Sequence, residues 1–184
     1  MSKQVQLSSE KYIKTKAKEL SFFECYASQN WYVSFELVTV IVSKQMPSDN
    51  ICLAIYLLDK GCLSLKSTNY RFNMTLSEYK DYVSHLMEAE QRPFEVISVE
   101  MVHNLIFGAI DYADEYGFSP NKGWIITRHF LNEDLITDEI DSIEFGKDGK
   151  PFYISGPYDN MNHILATLKK TAGEGNFDFI SHLD

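Results

Sequence analysis

SVEMVHNLIFGAIDYADEYGFSPNKGW, Ser98–Trp124, is the stretch whose periodicity decides the fold. Val102, Leu105, Ile106, Ala109, Ala113 and Tyr116 recur at i, i+3, i+4 and i+7 spacing and so share one helical face. Glu100, Asn104, Asp111, Asp114 and Glu115 share the other. Ser98 offers a cap at its start, and Gly117 followed by Pro120 offers a stop. A central helix is predicted here, with one apolar face that a sheet must cover.

Working upstream, the sheet is found in the segments rich in Val, Ile and aromatic residues. Phe22–Tyr26 and Phe35–Met46 read as strands, and the turn tetrad Pro47-Ser48-Asp49-Asn50 pairs Leu37–Met46 with Ile51–Leu58 as a hairpin. Lys60-Gly61 reverses the chain again before a shorter strand at Cys62, Leu63 and Leu65, which makes a meander. An opening helix over Glu10–Leu20 is capped by Ser8 or Ser9. A second helix starts at Thr75, with Glu78 at capping-box spacing, ends near Glu90 and is expected to form a helical hairpin with the central helix over the sheet. Downstream, Asn121 favours a helix through Leu131, although WIITRHF has enough β-branched and aromatic character for a strand. Asp148-Gly149 predicts a β-hairpin between Ile143–Gly146 and Phe152–Ser155, and Asp159 is expected to cap a last helix over Met161–Lys170. The predicted class is α+β: an antiparallel β-meander packed on one side by several helices, with a separate C-terminal β-hairpin.

Composition bounds the function. With 184 residues, 45% of them apolar and 14% aromatic, the chain can bury the core of one domain over 1–184. Residues 1–21 form a loosely attached helix in this reading and 172–184 a tail in which Phe177, Phe179 and Ile180 fold back. A net charge of -9 opposes nucleic acid and anionic membrane as partners. The longest aliphatic run, Leu37–Val42, is too short to cross a bilayer, and no apolar run follows the charged N-terminus as in a secretion signal, so a cytoplasmic protein is expected. Cys25, Cys52 and Cys62 are odd in number, lack paired spacing and sit among apolar residues, which predicts buried, reduced thiols.

Read together, ECYASQNW, IVSKQMPSDNICLAIYLLDKGCLSLKSTNYRFNM, HNLIFGAIDYADEYGFSP and FGKDGKPFYISGPYDN resemble an uncharacterised family of bacterial proteins, over about residues 22 to 160. The resemblance implies a bacterial, intracellular protein of one domain and assigns no activity, cofactor or site residue.

Candidate site residues come from the side chains alone. Phe107 points to the polar side of the central helix, with His103 four residues before it and Asp111 and Asp114 after it. Such a ring is either the floor of a pocket or partner-binding anchor rimmed by ionisable groups, or a packing contact beneath a neighbouring element. Asp111, Asp114 and Glu115 add negative charge to the already negative end of the helix, but no calcium loop or HExxH motif accompanies them, so neither metal nor cofactor is expected. Cys25 with His103 or His129 supplies the residue types of a thiol hydrolase without its local signature, which favours a core cysteine. Tyr158 and Asp159 follow the Gly156-Pro157 bend, where aromatic rings and a capped helix end offer a further binding surface. No catalytic residue can be assigned. The expected function is a non-enzymatic interaction or accessory module with a protein partner; the alternative is a small-molecule hydrolase or ligand sensor around His103, Asp111 and Asp159.

Overall fold

The computed structural model describes residues 7–33, 35–90, 92–137 and 143–181. Helix α1 (Ser9–Lys16) continues into a 3-10 turn at Ala17–Glu19. The strands β1 (Phe22–Ser28), β2 (Leu37–Gln45), β3 (Ile51–Asp59) and β4 (Ser64–Met74) follow. After α2 (Leu76–Ala89) and the short β5 (Phe94–Val96) come α3 (Val99–Glu115), α4 (Trp124–Thr127), β6 (Phe152–Ile154), α5 (Met161–Thr171) and β7 (Asp178–Ile180). The class is α+β, with a five-stranded sheet in the order β4-β3-β2-β1-β5 and a separate two-stranded sheet, β6-β7, near the C-terminus.

Every pairing in the large sheet is antiparallel, and the expected hairpin runs in unbroken register from Leu37↔Asp59 to Gln45↔Ile51. Because strand residues alternate between faces, Val38, Val40, Val42, Cys52, Ala54, Tyr56 and Leu58 project to one side. They meet Val102, Leu105, Ile106 and Ala109 of α3 and Ile13 of α1, all 1% exposed or less. Each fully buried Leu or Ile there contributes roughly 1.5–3 kcal/mol of transfer free energy. Helix α1 is seated in the main core through Ile13, and its 3-10 extension through Ala17.

Several helices thus cover one face, as expected, but α2 lies on the other. Its Tyr79 and Val83 pack on Ile41, Ile51 and Leu53, so α2 and α3 do not form the anticipated helical hairpin. The reason is β5, absent from the sequence reading: it pairs with β1 at the sheet edge, and the chain passes around that edge between the two helices. The start of α2 follows expectation. Thr75 Oγ1 accepts from Glu78 N at 3.3 Å while Glu78 Oε2 accepts from Thr75 N at 2.8 Å, the reciprocal capping box.

β4 is much longer than Cys62–Leu65. Cys62 and Leu63 belong instead to the β3–β4 turn, which is tied by their N–H groups to Asp59 Oδ1 at 3.0 and 3.3 Å. The Asp148-Gly149 turn forms with positive φ at both residues, 51° and 76°, but its arms make a single bridge, Lys147↔Lys150. They attach to the β3–β4 turn, since Gly146 N donates to Lys60 O at 2.8 Å and Phe152 N to Gly61 O at 3.1 Å. Gly61 permits that approach, because a Cβ there would lie 2.2 Å from Phe152 O. Freed from the expected hairpin, β6 pairs in parallel with β7 from the tail, Phe152↔Asp178 to Ile154↔Ile180. Cys62, Tyr153, Ile164, Leu168 and Phe177 close this region into its own small core. Asn160, not Asp159, caps α5, accepting from His163 N at 3.2 Å. All three cysteines are free and buried.

Candidate functional site

The residues picked from the sequence are dispersed. His103 is fully buried, its Nδ1 hydrogen-bonded to Val99 O at 2.6 Å and its Nε2 accepting from Asn132 N at 3.0 Å. Burial lowers its pKa, against the opposing effect of the Val99 carbonyl. Both ring nitrogens are occupied, so His103 ties α3 to the segment after α4. Phe107 is half-buried. It stacks on His103 at 6.2 Å between centroids and meets Trp124 edge-on at 5.9 Å. It stands between two shallow hollows, one shared with Ile125 and His129, the other with Asn104 and Asp111. Asp111 and Asp114 are exposed and enter no ion pair among the described residues; Arg128 is paired with Glu133 at 3.5 Å. Tyr158 is 99% exposed. Thus Phe107 and Asp111 share a hollow, while His103 is closed inside the core and Asp159 contacts Lys66 of β4.

Asp159 has a different setting. Its Oδ2 accepts from Lys66 Nζ at 2.8 Å and from Gly156 N at 2.8 Å. Although burial acts in the opposite direction, Lys66 and the Gly156 N–H hold its carboxyl below the usual range. This pair fixes the Gly156–Asp159 bend against β4 at one side of a cleft of about 670 Å³. The cleft lies on the α2 face of the sheet, beyond the C-terminal end of that helix, with Leu37, Leu57 and Asp59 in its floor and Ala89 and Glu90 on one rim. Ile154, Gly156 and Pro157 form the opposite wall, and Phe35 and Phe152 meet edge-to-face at 5.2 Å beside it.

Strand register explains why charge gathers there. Leu37 pairs with Asp59 and Thr39 with Leu57, so the four side chains occupy neighbouring positions on one face. Thr39 Oγ1 donates to Glu90 Oε2 at 3.0 Å, and Arg92 pairs with Glu36 at 2.9 Å. Asp59 is 7% exposed. Burial pushes its carboxyl above the ordinary range, against the lowering effects of the Cys62 N–H and Lys66. The surface signal in the sequence was faint: a carboxylate ending the nine-residue apolar strand Ile51–Asp59, with Lys66 beyond the turn.

Two lysines are buried without an ion pair among the described residues. Lys44 Nζ donates to Lys18 O and Leu20 O, both at 3.1 Å, and lies 4.0 Å from the Phe22 ring centre. Lys60 Nζ donates to Trp31 O at 2.6 Å. Burial lowers each ammonium to about 8. Both hold loops by their carbonyls, and neither lines the large cleft.

Among the described residues, no three His, Cys, Asp or Glu side chains are gathered to hold a metal ion, and no helix is long and apolar enough to cross a membrane. No protein-family model, curated protein or solved structure matches the chain.

Proposed function

We propose that the chain is a non-catalytic binding module whose ligand occupies the cleft between the C-terminal end of α2 and the β6 segment. The supporting observation is the combination of about 670 Å³ of concave space, an apolar floor, and charged groups at fixed positions on its walls. Rigid strands and a bend anchored by Asp159 supply those positions, so little ordering would be needed on binding. The hydrolase alternative has less support, because His103 has no ring nitrogen to offer as a base and no described His or Cys lines the cleft.

Ala89→Trp, which places an indole at the rim, tests the reading. Thermal-shift measurements are made with panels of amines, amino acids, carboxylic acids and nucleotides. At least one class is expected to raise the Tm of the native protein and to leave that of the folded Ala89→Trp variant unchanged. The proposal fails if no class shifts the native protein at millimolar concentration, or if the shift survives the tryptophan. Turnover of the bound compound would overturn its non-catalytic character.

A further inference from the structure

We infer that the ligand recognised in this cleft carries an ammonium group, seated between Asp59 and Glu90, with an apolar body lying on Leu57 and Phe35. The inference rests on the binding role proposed above and adds the chemical class of the ligand.

The charges at the cleft do not balance. Three carboxylates line the cleft, Glu36, Asp59 and Glu90, with two cations, Lys66 and Arg92; beside it Asp159 contacts Lys66, and Lys147 lies over the Phe152 ring at 4.8 Å. Both cations are committed, Lys66 to Asp159 at 2.8 Å and Arg92 to Glu36 at 2.9 Å. Among the described residues, neither Asp59 nor Glu90 enters an ion pair, although Lys66 lies close enough to Asp59 to lower its carboxyl. Glu90 has a hydroxyl donor, Thr39, that orients its carboxylate without neutralising it.

Asp59 is the more telling group, because it is more than nine-tenths buried and still lines the cavity. Its hydrogen bonds run to backbone N–H groups of its own turn, and no side chain donates to it among the described residues. A buried carboxylate is stabilised by an adjacent cation, and a bound ammonium would occupy that position with both carboxylates as acceptors. An anionic ligand would instead face Asp59 and Glu90, neither of them in an ion pair, across a low-dielectric floor. The apolar part of the ligand follows from the rest of the lining, where Phe35, Leu37, Leu57 and Phe152 offer hydrocarbon surface.

A free amine and the lysine side chain of a peptide share this chemistry, and the experiment separates them. Phenethylamine, the isosteric anion 3-phenylpropionate, and an acetylated, amidated peptide with one central lysine are titrated calorimetrically into the native protein, Asp59→Asn, Glu90→Gln and Ala89→Trp. Asparagine keeps an oxygen for the N–H groups of Cys62 and Leu63, so the turn persists, and circular dichroism verifies the fold of each variant. The expected result is binding of phenethylamine, the peptide or both, weakened about tenfold or more by Asp59→Asn and by Glu90→Gln, with no binding of 3-phenylpropionate. Binding of the amine alone identifies a small-molecule site, and tighter binding of the peptide identifies a lysine-bearing protein. If 3-phenylpropionate binds as well as the amine and Ala89→Trp abolishes both, the ammonium inference is overturned while the cleft remains a binding site. Amine binding unaffected by either carboxylate variant overturns the inference as well. If no probe binds, and the wider panels shift nothing, the binding role falls with it.

Discussion

Replacing Lys44 by methionine isolates the effect of a buried charge on stability. In the native protein the ammonium is out of water, held by two carbonyls at the end of the α1 segment and by the Phe22 ring. Burial lowers it from 10.5 to about 8, despite the raising effects of Cys52 and Cys25. The unfolded chain keeps the proton to near 10.5, so between the two values the unfolded state binds more protons and stability rises with pH. Below about 8 the folded state carries the whole penalty, on the order of 3 kcal/mol. Between pH 7 and 9 the relief amounts to about 1 kcal/mol. Other groups titrate nearby and oppose it. Burial raises the Cys25 thiol to about 11 and the Cys52 thiol to about 12, so their contribution is whole below the ordinary thiol value of 9.0 and is lost as pH rises from there to the raised values. The test is therefore a difference between proteins. Urea unfolding of native and Lys44→Met protein at pH 7, 8 and 9 should show the native protein gaining about 1 kcal/mol on the variant across that interval. A difference that stays flat, or that runs against the native protein, would refute the argument that Lys44 is charged and desolvated in the fold.

Phe107→Ala should cost roughly 1.5–3 kcal/mol in chemical denaturation, below the range for a fully buried ring, because Phe107 contacts His103 and Trp124 yet borders two open hollows. An unchanged midpoint would show that the ring contributes nothing to packing and return attention to it as a partner anchor. Gly149→Val should destabilise by roughly 1 kcal/mol or more through backbone strain alone, since no atom lies within 4 Å of a Cβ built there and its φ is +76°. Gly149→Asn should be milder, and equal stability of the valine variant would reject the turn geometry.

Local chemistry determined the elements that announce themselves within a few residues. The Thr75–Glu78 capping box, the Ser98 cap and the period of α3 were legible because helix ends and helix faces depend on neighbours three and four positions away. The β2–β3 hairpin was legible for the same reason, with turn residues between two apolar runs. The extension of β4 is written in the alternation of Asn69, Arg71 and Asn73 with Tyr70, Phe72 and Met74. What the sequence could not decide was which distant segments would share an edge or a face. β5 is three residues long and has no pattern of its own; pairing with β1 creates it, and that pairing sends α2 and α3 to opposite faces. The same holds for β6, whose partner is 26 residues further along the chain in the Phe152↔Asp178 register rather than across the adjacent turn. The candidate site is the extreme case. Asp59, Lys66, Glu90 and Arg92 come from a strand end, a bulge, a helix terminus and a loop, and each alone reads as an ordinary surface charge. Strand register and the docking of the C-terminal segment on Gly61 gather them around one cavity, and the desolvation that makes Asp59 chemically distinctive exists only once the chain has folded around it.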